Sequence, residues 1–215
     1  MIELMIARAV ALANTKKEIY MRRICVFSGS NLGSRPEYKR AAQALGREMV
    51  ARGLGLVYGG ASVGLMGVIA DTVLAGGGEA IGVIPRGLFR REVAHKGLTQ
   101  LHEVNSMHER KALMADLADG FIALPGGYGT FDELFEIITW EQIGLHTKPI
   151  GLLDVVGYFA PLLALIKHAS SEGFIPAPHI RLVMREESPA VLLDRFAVYQ
   201  PDITKNIWSE LPPER

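Results

Sequence analysis

An α/β fold with a mainly parallel sheet and helices on both faces, three layers in all, is predicted by three features of the sequence. Short β-branched runs alternate with helical stretches almost to the end of the chain. The strand-like runs are apolar throughout rather than alternating, as strands covered on both faces must be. The segments that follow them are rich in glycine, serine or proline, which suits loops at strand ends.

The elements follow in order. Residues 23–28 read as the first strand, and 37–52 as a helix with Tyr38, Ala41, Ala42, Leu45, Met49 and Val50 on one side. A strand at 55–58, a helix at 65–75 and a strand at 80–84 come next. A strand at 99–104 leads to a helix at 107–117, then a strand at 120–124 and a long helix at 130–143. A strand at 150–153, a helix at 158–171, a short strand near 180–183 and a helix at 188–199 complete the pattern. One domain over residues 21–200 accommodates all of them, with a tail at 201–215 expected to fray.

Residues 1–20 are apolar, and an Ala-x-Ala near their end raises the question of a signal peptide. Glu3 stands where positive charge is expected and Arg8 interrupts the apolar run, so an amphipathic helical extension is the better expectation. Met21, directly before the first strand, is a second candidate start. No window offers about 18 uninterrupted apolar residues, so no membrane span is expected.

Composition narrows the function classes. Of 215 residues 49% are hydrophobic and 21% charged, which is globular rather than disordered. Lysine plus arginine number 23 and aspartate plus glutamate also 23, giving no basic excess for a nucleic-acid polymer as partner. The single cysteine, Cys25, lies in an apolar run and suits a reducing, cytoplasmic setting as a buried, inert thiol. Six histidines show no ligand spacing, and one cysteine builds no zinc site, so no metal is expected.

In parallel α/β sheets ligands bind beyond the carboxyl ends of the strands. That rule singles out "SGSNLGS" after Phe27, "GGASVGLMG" after Tyr58, "PRGLFRRE" after Ile84 and "PGGYGT" after Leu124. The last carries most information. Gly126, Gly127 and Gly129 permit backbone shapes and close approaches that a side chain would block, and Thr130 stands at the expected helix start. Unpaired amides and the positive end of a helix dipole there make an anion seat, with phosphate as its natural occupant. Thr130-x-x-Glu133 also fits a capping box, but capping alone does not call for three glycines in four positions. "GGASVGLMG", with Gly60, resembles a second phosphate or ribose loop, or else a tight turn in which Gly67 permits close packing. Ser28 to Ser30 suit a loop donating hydroxyl and amide groups to a ligand. No Walker lysine, no Gly-x-Gly-x-x-Gly and no Gly-x-Ser-x-Gly is present.

With "MHERKALM" and "AIGVIP" these segments match, in order and spacing, the LOG ("Lonely guy") family of cytokinin-activating phosphoribohydrolases, and the chain resembles that family from about Arg23 to Val198. Members have often been labelled lysine decarboxylases. The resemblance implies a Rossmann-like fold and hydrolysis of the N-glycosidic bond of a nucleoside 5′-monophosphate to free base and ribose 5-phosphate, without a cofactor. It implies Arg110 and Glu133 as the catalytic pair. Substrate would be cradled by Gly127, Tyr128, Gly129, Thr130, Phe131 and Asp132, with Glu92, Lys111, Thr139, Ser30 and Gly60 also at the site. A homodimer with the pocket near the interface is expected as well. The rival functions are a non-catalytic carrier of a nucleotide or of molybdenum cofactor, built on the same fold, and a pyridoxal-phosphate decarboxylase. For the latter no Schiff-base lysine is identifiable.

Overall fold

The computed structural model describes residues 21–86 and 94–201. Its strands are β1 (Arg23–Phe27), β2 (Gly55–Tyr58), β3 (Ala80–Pro85), β4 (Gln100–Val104), β5 (Gly120–Ala123), β6 (Ile150–Leu153) and β7 (Val183–Glu186). The helices are α1 (Pro36–Ala51), α2 (Gly64–Ala75), α3 (Met107–Leu117), α4 (Tyr128–Gln142), α5 (Ala160–Ser171) and α6 (Pro189–Ala197).

The sheet runs β4-β3-β2-β1-β5-β6-β7, and each neighbouring pair is parallel. Strand order reverses between β1 and β5, so the crevice beyond their carboxyl ends is the topological switch point. The alternation of strand side chains sorts the core into two clusters. Ile24, Val26, Leu56, Tyr58, Ile122 and Leu153 pack with α1, α2 and α6 on one face. Cys25, Phe27, Val57, Val83, Phe121 and Leu152 pack with α3 and α4 on the other. Three layers result.

Two expectations need correction. The strand expected near 180–183 lies at Val183–Glu186, and residues Ala177–Leu182 form a 3₁₀ turn instead. Pro176 and Pro178 lack the amide hydrogens a ladder needs, and the His179 amide bonds back to the Pro176 carbonyl. The helix expected from 158 begins at Ala160, where Pro161 fits its first turn. A short 3₁₀ turn, Val155–Gly157, precedes it, leaving Tyr158 outside the helix. The segment 1–20 and residues 202–215 of the tail lie outside the described residues.

That turn is strained. Val156 has φ 48° and ψ 38°, the left-handed region, which a β-branched side chain seldom enters. Buried Asp154 clamps it, accepting the Phe159 amide at 2.7 Å and the Arg185 Nε at 2.6 Å. Val156 is 52% exposed, so its side chain contributes little packing against this strain. Asparagine tolerates the left-handed region better, at a difference of about 1 kcal/mol. Val156→Asn should therefore raise the stability measured by urea unfolding by that amount. A lower midpoint would contradict the strain.

Candidate active site

The loops after β1 and β5 meet at the switch point. The Gly29 amide donates to the Pro125 carbonyl at 3.1 Å. A Cβ on Gly126 would lie 2.1 Å from Thr130 Oγ1 and 2.9 Å from the Gly29 nitrogen, so only glycine fits there. The loop after β2 locks onto the same place. The Leu65 amide donates to the Gly29 carbonyl at 2.9 Å, and a Cβ on Gly64 would lie 2.2 Å from the Ser30 carbonyl carbon.

Helix α4 starts two residues earlier than expected, with Gly127 as its N-cap and no side-chain cap. Thr130 is thus the third helical residue, buried beneath Gly126, and the Thr130–Glu133 capping box is not formed. The first turn holds no acidic residue, so the positive end of the helix is not neutralised locally. The Tyr128, Gly129 and Thr130 amides precede the first intrahelical donor, Phe131, which bonds the Gly127 carbonyl at 3.0 Å. Gly127 and Gly129 have negative φ, and a Cβ on either would meet nothing within 4 Å among the described residues. Among the described residues neither conformation nor packing accounts for these two glycines. Residues 127–129 are exposed, and Thr130 is buried behind them.

Arg110 reaches this region from α3. Ser106 Oγ caps that helix by accepting the Glu109 amide at 3.1 Å, and Glu109 reaches back to the Asn105 amide at 2.7 Å. Four residues into the helix, the Arg110 side chain runs under the ends of β2 and β3. Its Nε donates to the Val83 carbonyl at 3.0 Å and its Nη2 to the Gly59 carbonyl at 3.1 Å. Its Nη1 lies 3.7 Å from Glu133 Oε1, and both side chains are at most one-tenth exposed. A charge buried this far needs such partners, and the two carbonyls and the carboxylate supply them.

The remaining expected residues scatter more widely. Lys111 joins α3 to α4, with its Nζ 3.1 Å from Asp132 and 3.0 Å from Glu136. Burial pulls its pKa down, but hydrogen bonds to Glu136 and Asp132 outweigh that and hold it above its ordinary value. Tyr128 is 94% exposed, while Phe131 packs partly against the core. Thr139 sits on the exposed side of α4 and donates its hydroxyl to the Phe135 carbonyl. Ser30 is exposed on the first loop, and Ser28 Oγ is buried without a hydrogen-bond partner among the described residues. Gly60 occupies a left-handed turn, φ 80°, and its carbonyl accepts the His95 amide at 3.0 Å. Glu92 lies outside the described residues. Cys25 is fully buried, and burial, then the nearby Glu133 carboxylate, pushes its thiol well up.

Sequence reasoning missed Gly59 and Tyr158. A Cβ on Gly59 would lie 2.1 Å from Arg110 Nη2, so this glycine makes room for the guanidinium. It stands beside Gly60 in the segment already singled out, but spacing alone does not tell the two apart. The Tyr158 hydroxyl donates to the Gly126 carbonyl. It follows the carboxyl end of β6, a strand end to which the loop rule also applies. The rings of Tyr38 and Tyr158 and residues 29–33, Leu65 and 125–127 line a cleft of about 250 Å³. A cleft of about 480 Å³ lies at the other end of the sheet, around Gly53, Gly76 and the paired Arg23 and Glu79, far from these groups. Among the described residues no three potential ligands come together for a metal, and no helix is long and apolar enough to cross a membrane.

A doubly wound α/β protein with an open helix N-terminus at its switch point and a buried arginine–glutamate pair beside it is the class these features define. A family model described as "Possible lysine decarboxylase" matches residues 66–196. A probable cytokinin riboside 5′-monophosphate phosphoribohydrolase of Oryza sativa subsp. japonica is 50% identical over 84% of this chain and 79% of its own length. The rice cytokinin riboside 5′-monophosphate phosphoribohydrolase LOG is 47% identical over 89% of this chain and 80% of its own. A cytokinin riboside 5′-monophosphate phosphoribohydrolase of Arabidopsis thaliana is 46% identical over 88% and 89%. The chain belongs to the LOG family. In fold it is similar to the molybdenum cofactor binding protein of Rippkaea orientalis, with TM-score 0.61, 20% identity and coverage of 82% of this chain and 95% of the other. The molybdenum cofactor carrier protein of Chlamydomonas reinhardtii gives TM-score 0.63 at 18% identity over 82% and 97%.

Gly59→Ala drives a methyl group into the space of Arg110 Nη2 while leaving the sheet register untouched. The variant should fold, with unchanged circular dichroism, yet lose most activity. An active Gly59→Ala enzyme would show that the guanidinium need not sit there.

Proposed function

We propose that this enzyme hydrolyses the N-glycosidic bond of adenosine 5′-monophosphates, N6-modified ones such as cytokinin riboside 5′-monophosphate included, releasing the base and ribose 5-phosphate. The observation that carries this is the pairing of buried Glu133 with Arg110 one turn along α4 from its uncovered amides. The family relatives, named for this reaction, support it.

The chemistry asks three things of the site: an anchor for the phosphate, a carboxylate near C1′ and a way to receive water. The amides of residues 127–130 take the phosphomonoester at the positive end of α4. Glu133, one turn further along, faces the sugar from the same helix. As the C1′–N bond breaks, its electron pair leaves with the base and positive charge grows on the ribose. The ionised carboxylate stabilises that charge and accepts a proton from the water whose oxygen bonds to C1′. The proton held by Glu133 then passes through solvent to the base nitrogen, which balances the reaction and restores the carboxylate. Arg110, tied to the Gly59 and Val83 carbonyls, holds its Nη1 3.7 Å from Glu133 Oε1 and so fixes the carboxylate in place. Binding energy from the distant phosphate holds C1′ in place for attack. In keeping with the family resemblance, we place the enzyme in the cytosol as a homodimer with its pocket near the interface. Light scattering of the purified protein tests the dimer.

Glu133→Gln keeps the shape and removes the charge. It should fold normally and lower the turnover number at least about 10²-fold. A near-normal rate of base release from AMP or isopentenyl-AMP, followed by chromatography, would refute the role of Glu133. Tight nucleotide retention with no base released by the unmodified protein would favour a carrier instead.

A further inference from the structure

We propose that Tyr158 is a positioning residue that sets the orientation of the phosphate-binding amides. Its role rests on the amides at residues 127–130 holding the substrate phosphate. The peptide joining Gly126 to Gly127 has glycine on both sides, so steric preference does little to choose between its two flipped orientations. In a trans peptide the carbonyl and the amide hydrogen point in opposite directions. A hydroxyl that holds the Gly126 carbonyl therefore also fixes where the Gly127 N–H points. Tyr158 makes that bond.

The tyrosine is itself held firmly. Its ring packs edge-on against Tyr38, with centroids 5.8 Å apart, and against Phe159 at 5.1 Å. Phe159 is fully buried, and its amide is bonded to Asp154, which pairs with Arg185. The left-handed Val156 and Gly157 turn the chain between Asp154 and Tyr158. A strained turn, a buried carboxylate and two aromatic contacts thus converge on one hydroxyl, which meets the Gly126 carbonyl where it borders the cleft.

Tyr158→Phe removes the hydroxyl and keeps the ring contacts. Steady-state kinetics on AMP and on adenosine, with calorimetric binding of ribose 5-phosphate, separate positioning from mere packing. Losing one hydrogen bond should raise the KM for AMP and the Kd for ribose 5-phosphate roughly 3- to 10-fold. The turnover number on AMP should fall less than the KM rises, because the phosphate grip serves binding first and the placing of C1′ through it. With adenosine, which has no phosphate, kcat/KM should match that of the unmodified enzyme. An unchanged KM and Kd, or an equal loss on adenosine, would overturn the proposal. Gly127→Val, in the same assays, checks the seat: its Cβ meets nothing within 4 Å among the described residues, and the branched side chain adds bulk beside the amides. If Gly127→Val leaves ribose 5-phosphate binding intact, the seat lies elsewhere and the role of Tyr158 falls with it. If Gly127→Val abolishes binding while Tyr158→Phe does not alter it, only the positioning role fails.

Discussion

A guanidinium buried beneath the ends of β2 and β3 is the constraint around which the site is arranged. Arg110 cannot occupy that position without acceptors, and the chain provides them from three separate elements. The Gly59 carbonyl follows the end of β2, the Val83 carbonyl lies within β3, and the Glu133 carboxylate comes from α4. Each acceptor limits something else. The Gly59 position must lack a side chain, β3 must present the Val83 carbonyl to α3 from within the strand, and α4 must turn its second turn toward α3. Removing one partner of a buried pair costs about 3–5 kcal/mol, so the same contacts that shape the site also hold its walls together.

The seat on α4 obeys a different logic. Its glycines divide by packing: Gly126 lies tightly between Gly29 and Thr130, whereas Gly127 and Gly129 meet no described residue within 4 Å of a Cβ. Tight packing fixes the loop on the β1 side, and the open positions expose backbone donors on the other. Lys111, bound to Asp132 and Glu136, braces the outer side of the same helix rather than adding a free cation. Switch-point geometry, helix dipole and uncovered amides then act at one place.

Much of this fold could be read from the sequence because strand and helix periods are local. β2 and β6 lie where the apolar runs end, and α3 begins where Ser106 and Glu109 supply a cap. The region around residues 177–186 was misread because proline denies the ladder its donors two residues before the apolar pattern suggests. At the site, a glycine-rich turn leading into a helix after β5 was legible from the sequence, and the nearness of Arg110 to Glu133 followed from the family resemblance. The start of α4 was not: Thr130 looked like a cap, but its burial under Gly126 depends on a contact with Gly29, about a hundred residues earlier. Gly59 and Tyr158 stayed hidden for the same reason. Their meaning lies in what reaches them from α3 and from the loop at residues 124–127, and no spacing encodes that.

The central claim is that one helix both holds the phosphate through its backbone and faces C1′ with its carboxylate. A crystal structure of the Glu133→Gln protein soaked with AMP measures both at once. The phosphate should lie within hydrogen-bond distance of the amides at residues 127–130, with C1′ next to residue 133 and Arg110 still on the Gly59 carbonyl. A nucleotide bound with its phosphate elsewhere, or with the ribose turned away from residue 133, would contradict the mechanism.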